Sequence, residues 1–209
     1  MKKNNIYQLT TLALCVVVVV LAYTNFSSDS AMEASNKAAV LETIHSRKSV
    51  RKYIDKPVSK DDLLTLVKAG MAAPSGKNEQ PWAFVIVSEK ARLDTMAERL
   101  PYAKMLRQAA AAIVVCGDMA RLRNPEASLW VQDCSAATEN ILLAAEAIGL
   151  GAVWTAAYPY EDRMGVVRSV LNLPPTTIPL CVIPVGYPDG TEKPKDKWKE
   201  ENVRWERWE

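Results

Sequence analysis

Residues 133–148, DCSAATENILLAAEAI, read as a helix that is apolar almost all round. Such a helix is stable only where neighbouring elements cover it on every side. The chain must therefore build layers around this segment, which Gly149 and Gly151 bring to an end. Residues 38–46 predict a helix with Val40, Leu41 and Ile44 at core spacing. Ser59 is placed to cap a helix over 61–73, with Asp61 and Asp62 in its first turn, Leu63, Leu64, Val67 and Met71 on its apolar face, and Pro74 at its end. Further helices fit 90–99, 101–108 and 161–171. Strands fit 83–88, 112–116, 152–156 and 178–186, the last interrupted by Pro184, which suggests a sheet edge or a bulge. Helices and strands interleave, so the fold is α+β or α/β, a sheet packed by helices. The 209 residues give room for one domain and one good core. That domain is expected over 38–209, with a charged tail from about 190 that carries Trp198, Trp205 and Trp208.

The first thirty residues have a different character. Lys2 and Lys3 precede the apolar run Leu9–Tyr23, LTTLALCVVVVVLAY. A basic start and an apolar stretch of this length fit a secretory signal peptide or a short signal anchor over 1–30. Ser28 and Ser30 ahead of Ala31 offer a small-residue cleavage site, whereas Leu14 ahead of Cys15 is too large for a good lipoprotein signal. Residues 31–37 then form a linker. With the positive charge retained inside, the domain is expected on the non-cytoplasmic side of a membrane, periplasmic in a Gram-negative cell, and to meet the membrane only through this segment.

The net charge of +2 falls to near +1 once Lys2, Lys3 and Asp29 are removed, so no broad electrostatic footprint for nucleic acid exists. His45 is the only histidine, which excludes multi-histidine metal sites and leaves histidine-dependent nucleophilic catalysis to that one residue. Cys116, Cys134 and Cys181 each sit in an apolar segment with no metal-ligand spacing, and read as buried thiols. No metal is expected.

Three stretches carry candidate chemistry. Arg47, Ser49 and Arg51 alternate in an extended segment, so they share a face. Two guanidiniums and a hydroxyl there suit either an anion clamp or a solvated basic strand. The loop from Pro74 to Trp82, PSGKNEQPW, holds small and amide residues between prolines, and fits a reader of a planar heterocycle or a plain connector. After Gly149-Leu150-Gly151, the strand ending Thr155-Ala156-Ala157 has side chains small enough for a flat ligand to approach its backbone. Its Gly-x-Gly follows a helix and lacks a third glycine, so it is not a dinucleotide fingerprint.

Taken together, HSRKSVRKY (45–53), AAPSGKNEQPWAFVIVS (72–88), GLGAVW (149–154) and PKDKW (194–198) resemble the nitroreductase family of FMN flavoproteins, over roughly residues 38–200. The resemblance implies an α+β fold with a central, mainly antiparallel sheet wrapped by helices. It implies an intertwined homodimer with FMN at the interface and the tail reaching over the partner. By the same resemblance, Arg47 and Ser49 contact the FMN phosphate and Arg51 meets the N1/O2 edge of the flavin. Pro74, Ser75, Gly76 and Asn78 form a loop contributed by the other subunit. Lys195 and Lys197 complete the phosphate site, and Thr155 and Ala156 run beside the ring. Lys104 and His45 match less well. The activity implied is ping-pong hydride transfer from NAD(P)H through flavin N5 to an electron-poor acceptor such as a nitroaromatic or quinone, with no side-chain nucleophile. Outside the cytoplasm NAD(P)H is scarce, so a different electron donor stands as an alternative, as does a non-catalytic flavin-binding protein.

Overall fold

The computed structural model describes residues 37–124 and 129–208. The expected signal segment, 1–30, lies outside them. Among the described residues no helix is long and apolar enough to cross a membrane. The chain divides into two units, Met1–His45 and Ser46–Glu209. The described part of the first is helical: residues 37–46 form α1, whose last residue opens the second unit. Val40, Leu41 and Ile44 are not core residues in this chain but are 61%, 57% and 47% exposed. Their spacing specifies one apolar stripe, and says nothing of what covers it.

In the second unit, α2 spans Lys60–Met71, β1 Trp82–Val87, α3 Lys90–Arg99, β2 Ala111–Asp118 and α4 Trp130–Ala147. These are followed by β3, Gly151–Ala152, β4, Thr155–Ala156, α5, Glu161–Leu171, and β5, Thr177–Gly186. The expected helix over 101–108 is a short 3₁₀ turn, Lys104–Arg107. Sheet order is β1-β2-β5-β3, with β4 also on β5, and every ladder is antiparallel. A lone parallel bridge joins Ser49 to Ala152.

The long central strand β2 is buried through its first seven residues because helices cover both faces of the sheet. Ile113 and Val115 point into a cluster with Leu63, Leu66 and Val67 of α2 and Ile141 and Leu142 of α4. Ala112, Val114 and Cys116 point the other way, onto Leu93 and Met96 of α3 and Met164 and Val167 of α5. This period-2 alternation is the pleat expressed in packing.

Four further expectations are corrected. The buried stripe of α2 is Leu63, Leu66, Val67 and Gly70, whereas Leu64 and Met71 are exposed. An apolar residue one position off the 3.6-residue stripe faces solvent. Helix α4 buries a face, not its whole circumference: Cys134, Ala137, Thr138, Ile141 and Ala145 are buried, while Glu139 and Ala147 are exposed. The strand expected over 152–156 is two short ones, which pair different parts of β5. Pro184 lies in the middle of the sheet, because β5 pairs β2 on one side and β3 and β4 on the other. It is tolerated because it falls between the residues paired to β3 (Val185, Gly186) and those paired to β4 (Cys181, Val182), where no edge partner needs its N–H.

Candidate active site

The segment after α1 is held against the end of the sheet by backbone and side chain together. Val50 N–H donates to the Ala152 carbonyl at 3.0 Å, and Ile54 N–H to the Tyr187 carbonyl at 3.0 Å. Tyr53 is buried; its hydroxyl donates to the Val50 carbonyl at 2.7 Å and has the Pro184 carbonyl at 3.2 Å. Burial pushes the Tyr53 hydroxyl pKa well up, so it stays a neutral donor. Close approach requires glycine on the sheet side. A Cβ at Gly151 would sit 2.6–3.0 Å from three side-chain atoms of Val50, and one at Gly186 would lie 2.8 Å from the Tyr53 ring.

With Val50 inserted, its neighbours turn outward. Arg47, Lys48, Ser49 and Arg51 line a cavity of about 370 Å³ whose other wall is Glu192, Lys193, Lys195 and Lys197 from the tail. The alternate residues Arg47, Ser49 and Arg51 meet at one cavity, but Lys48 lines it too, so the segment does not follow the strict two-residue alternation expected of an extended strand. Six cations and one carboxylate meet here. Mutual repulsion in so small a volume favours any anion that enters. Two of the cations are oriented by acids on α4. Arg47 Nε lies 3.3 Å from Glu139 Oε1, and Lys48 Nζ 2.8 Å from Glu146 Oε1, the latter pair mostly shielded from solvent. Glu192 Oε1 accepts from Arg51 N–H at 2.7 Å and Lys52 N–H at 3.1 Å.

The donor set fits a phosphate group: guanidiniums, ammoniums and a hydroxyl, with a single carboxylate among the lining side chains. Five of the residues singled out in the sequence, Arg47, Ser49, Arg51, Lys195 and Lys197, come together here. Lys48, Glu192 and Lys193 line the same cavity and were not singled out; only the acid inside the basic run TEKPKDK hints at Glu192.

The other candidates lie elsewhere in the chain. Pro74, Ser75, Gly76 and Asn78 follow α2 on a loop with a 3₁₀ turn, Gly76–Asn78, in which Lys77 and Asn78 take positive φ of 54° and 56°. That loop is pinned by Gly76 N–H donating to Asp133 Oδ1 at 2.8 Å, by Gln80 N–H donating to Ser75 Oγ at 3.1 Å, and by Gln80 Nε2 donating to Asn78 Oδ1 at 2.9 Å. Asp133, buried at the start of α4, is satisfied by this contact. Thr155 Oγ1 donates to the Val182 carbonyl at 2.6 Å, and Ala156 is exposed beside it on β4. Neither the loop nor β4 lines the basic cavity. Lys104 is exposed in its 3₁₀ turn.

The three described cysteines are buried, free thiols. Burial raises Cys116 and Cys181 to about 12, and Cys134 higher still. They are core residues, not nucleophiles. Among the described residues no group of three or more potential ligands is placed to hold a metal ion.

Comparison with known proteins identifies the family. The model of the Nitroreductase family matches residues 44–101 and 91–187. An Archaeoglobus fulgidus protein, provisionally named NADH dehydrogenase/NAD(P)H nitroreductase, is 42% identical over 171 residues, 80% of this chain and 98% of that protein. A crystal structure of a protein with the same provisional name from Bacteroides thetaiotaomicron is 56% identical, with a TM-score of 0.77 over 81% of this chain and 98% of that one. A Desulfovibrio desulfuricans nitroreductase-like protein, solved in complex with FMN, is 30% identical, with a TM-score of 0.69 over 81% of this chain and 98% of that one. A family match across most of the domain, and relatives that align over nearly their whole length, place this chain in the Nitroreductase family.

Proposed function

We propose that this chain is an FMN-dependent oxidoreductase that draws on NAD(P)H and acts as a homodimer. The observation that carries the proposal is the single cavity in which Arg47, Ser49 and Arg51 meet Lys195 and Lys197 from the far end of the domain. The FMN complex of the Desulfovibrio relative supports FMN as the phosphate-bearing ligand. Arg47, Ser49, Lys195 and Lys197 would hold its phosphate, with Arg47 steadied by Glu139. The two lysines contribute charge without the bidentate geometry of a guanidinium. Arg51, whose backbone is fixed by Glu192, would present a cation to the N1/O2 edge of the flavin, where negative charge collects on reduction. When bound, FMN would supply the hydride chemistry between the nicotinamide donor and an electron-poor acceptor such as a nitroaromatic or quinone. No side-chain nucleophile is needed, in keeping with three thiols sealed in the core.

The loop of Pro74, Ser75, Gly76 and Asn78 stands outside the basic cavity of its own chain, as a loop supplied to a second subunit's flavin would. Trp198, Trp205 and Trp208 are 73%, 84% and 85% exposed, which suits a tail that covers a partner. Residues 1–30 would carry the domain out of the cytoplasm, a reading supported by Lys2, Lys3 and the apolar run Leu9–Tyr23. That leader favours the second reading, the same flavin enzyme served by a donor other than NAD(P)H.

The test is an anaerobic absorbance titration of the purified full chain. Flavin bands that bleach on adding NADH or NADPH are expected. A yellow protein that stays yellow with both points to the other donor. A colourless protein that takes up no added FMN refutes the proposal.

A further inference from the structure

We infer that Glu192 is a positioning residue, whose carboxylate docks the lysine-bearing tail onto the Arg47–Arg51 segment and so shapes the anion cavity. The inference rests on the reading of that cavity as the FMN phosphate site. A carboxylate is an unexpected lining for such a site, since its charge opposes the anion's. Its contacts explain its place. One oxygen, Oε1, takes both the Arg51 and the Lys52 backbone N–H, at 2.7 and 3.1 Å. Both donors belong to the segment that carries Ser49 and Arg51, and charge-assisted bonds of this kind are about twice as strong as neutral ones.

The chain is bent to deliver this oxygen. Asp189 N–H donates to the Lys52 carbonyl at 3.2 Å. The Asp189 carboxylate then accepts from Thr191 N–H at 3.0 Å and Thr191 Oγ1 at 2.8 Å, which turns the backbone just before Glu192. Among the described residues, backbone hydrogen bonds from the tail to this segment end at Asp189, and Glu192 extends the tie three residues further. Lys193, Lys195 and Lys197 follow at alternate positions and all line the cavity. Fixing Glu192 therefore limits where three ammonium groups can reach, and fixes the Arg51 backbone at the same time.

The experiment compares the full-length protein with its Glu192→Ala and Glu192→Gln variants. The amide oxygen of glutamine keeps one acceptor for both N–H groups and removes the charge. FMN affinity is read by fluorescence quenching, the midpoint potential of bound FMN by dye equilibration, and tail exposure by trypsin cleavage after Lys195, Lys197 and Lys199 in ligand-free protein. For Glu192→Ala the expected result is an FMN affinity lower by about tenfold or more, a more negative midpoint potential as Arg51 loosens, and faster tail cleavage with the melting temperature little changed. Glu192→Gln is expected to recover most of all three. An alanine variant that binds FMN as well as or better than the wild type, with unchanged cleavage, overturns the inference. So does a glutamine variant whose FMN affinity falls as far as that of the alanine one while its tail cleavage stays as slow as in the wild type, which would make charge, not docking, the cause. If the wild type binds no FMN, the functional reading fails separately, and the cleavage rates still decide whether Glu192 holds the tail.

Discussion

Gly151→Ala is expected to damage the site through the fold. The added methyl would lie 2.6 Å from Val50 Cγ1, 2.8 Å from Cβ and 3.0 Å from Cγ2. Carbon atoms prefer a separation of about 3.5–4.0 Å, and because Cβ is itself too close, no χ1 rotation of Val50 relieves the clash. One backbone must move by roughly 0.7 Å to restore contact distance. Val50 is 1% exposed, and its N–H is bonded to the Ala152 carbonyl, so the strand has little room to yield. Overpacking of this kind costs about 1–3 kcal/mol, a drop of about 3–9 °C in melting temperature for a domain of this size. Ser49 and Arg51 flank Val50, so displacement of the strand is also expected to weaken FMN binding by about tenfold, a loss of about 1.4 kcal/mol. Calorimetry and FMN titration read the two effects. In the double variant Val50→Ala with Gly151→Ala, the shortened side chain gives way to part of the added methyl, and the combined loss should be less than additive. Unchanged melting and binding in the single variant, or strict additivity in the double, would refute the reasoning.

Other outcomes follow from particular residues. Gly165 lies exposed within α5, and a Cβ there meets nothing within 4 Å, so Gly165→Ala should stabilise by about 0.5–1 kcal/mol and raise the melting temperature; a lower melting temperature would contradict this. Cys116 and Cys181 are pushed from an ordinary 9.0 up to about 12 by burial, and Cys134 is also raised. Between those values the unfolded chain loses thiol protons that the folded chain keeps, so this contribution to stability is whole below about pH 9 and is lost as pH rises toward 12. Urea midpoints measured across that range should fall, and a thiol reagent at pH 8 should label none of the three until the protein unfolds. Rapid labelling of native protein would show that the core is not closed.

What the sequence made legible depended on whether the signal was local. α3 and α5 match their expected spans, Lys90–Arg99 and Glu161–Leu171, because the patterning that bounds them is short-range. Ser59 caps α2 by accepting from Asp62 N–H at 3.0 Å, also a contact between near neighbours. The α2 stripe was misassigned because Leu64 and Leu66 are equally apolar, and only the position of α4 decides which one is covered. Pro184 was misplaced because proline rules describe a strand by its missing N–H, while the gap between β3 and β4 that excuses it is a tertiary fact. In the site, the alternation of Arg47, Ser49 and Arg51 was readable along the chain. Their meeting with Lys195 and Lys197 spans the whole domain, and no spacing rule contains it; family resemblance supplied that link. Glu192 escaped because an acid among lysines reads as a solvated charge until its two backbone partners are seen.

The central claim is that the basic cavity holds the phosphate of FMN, and the most direct measurement compares the affinities of the full chain for FMN and for riboflavin, which lacks that phosphate. The account predicts that FMN binds at least about a hundredfold tighter, about 2.7 kcal/mol, and that the gap collapses in a Lys195→Ala, Lys197→Ala double variant whose riboflavin affinity is unchanged. Equal affinity for the two flavins in the wild-type protein would contradict it.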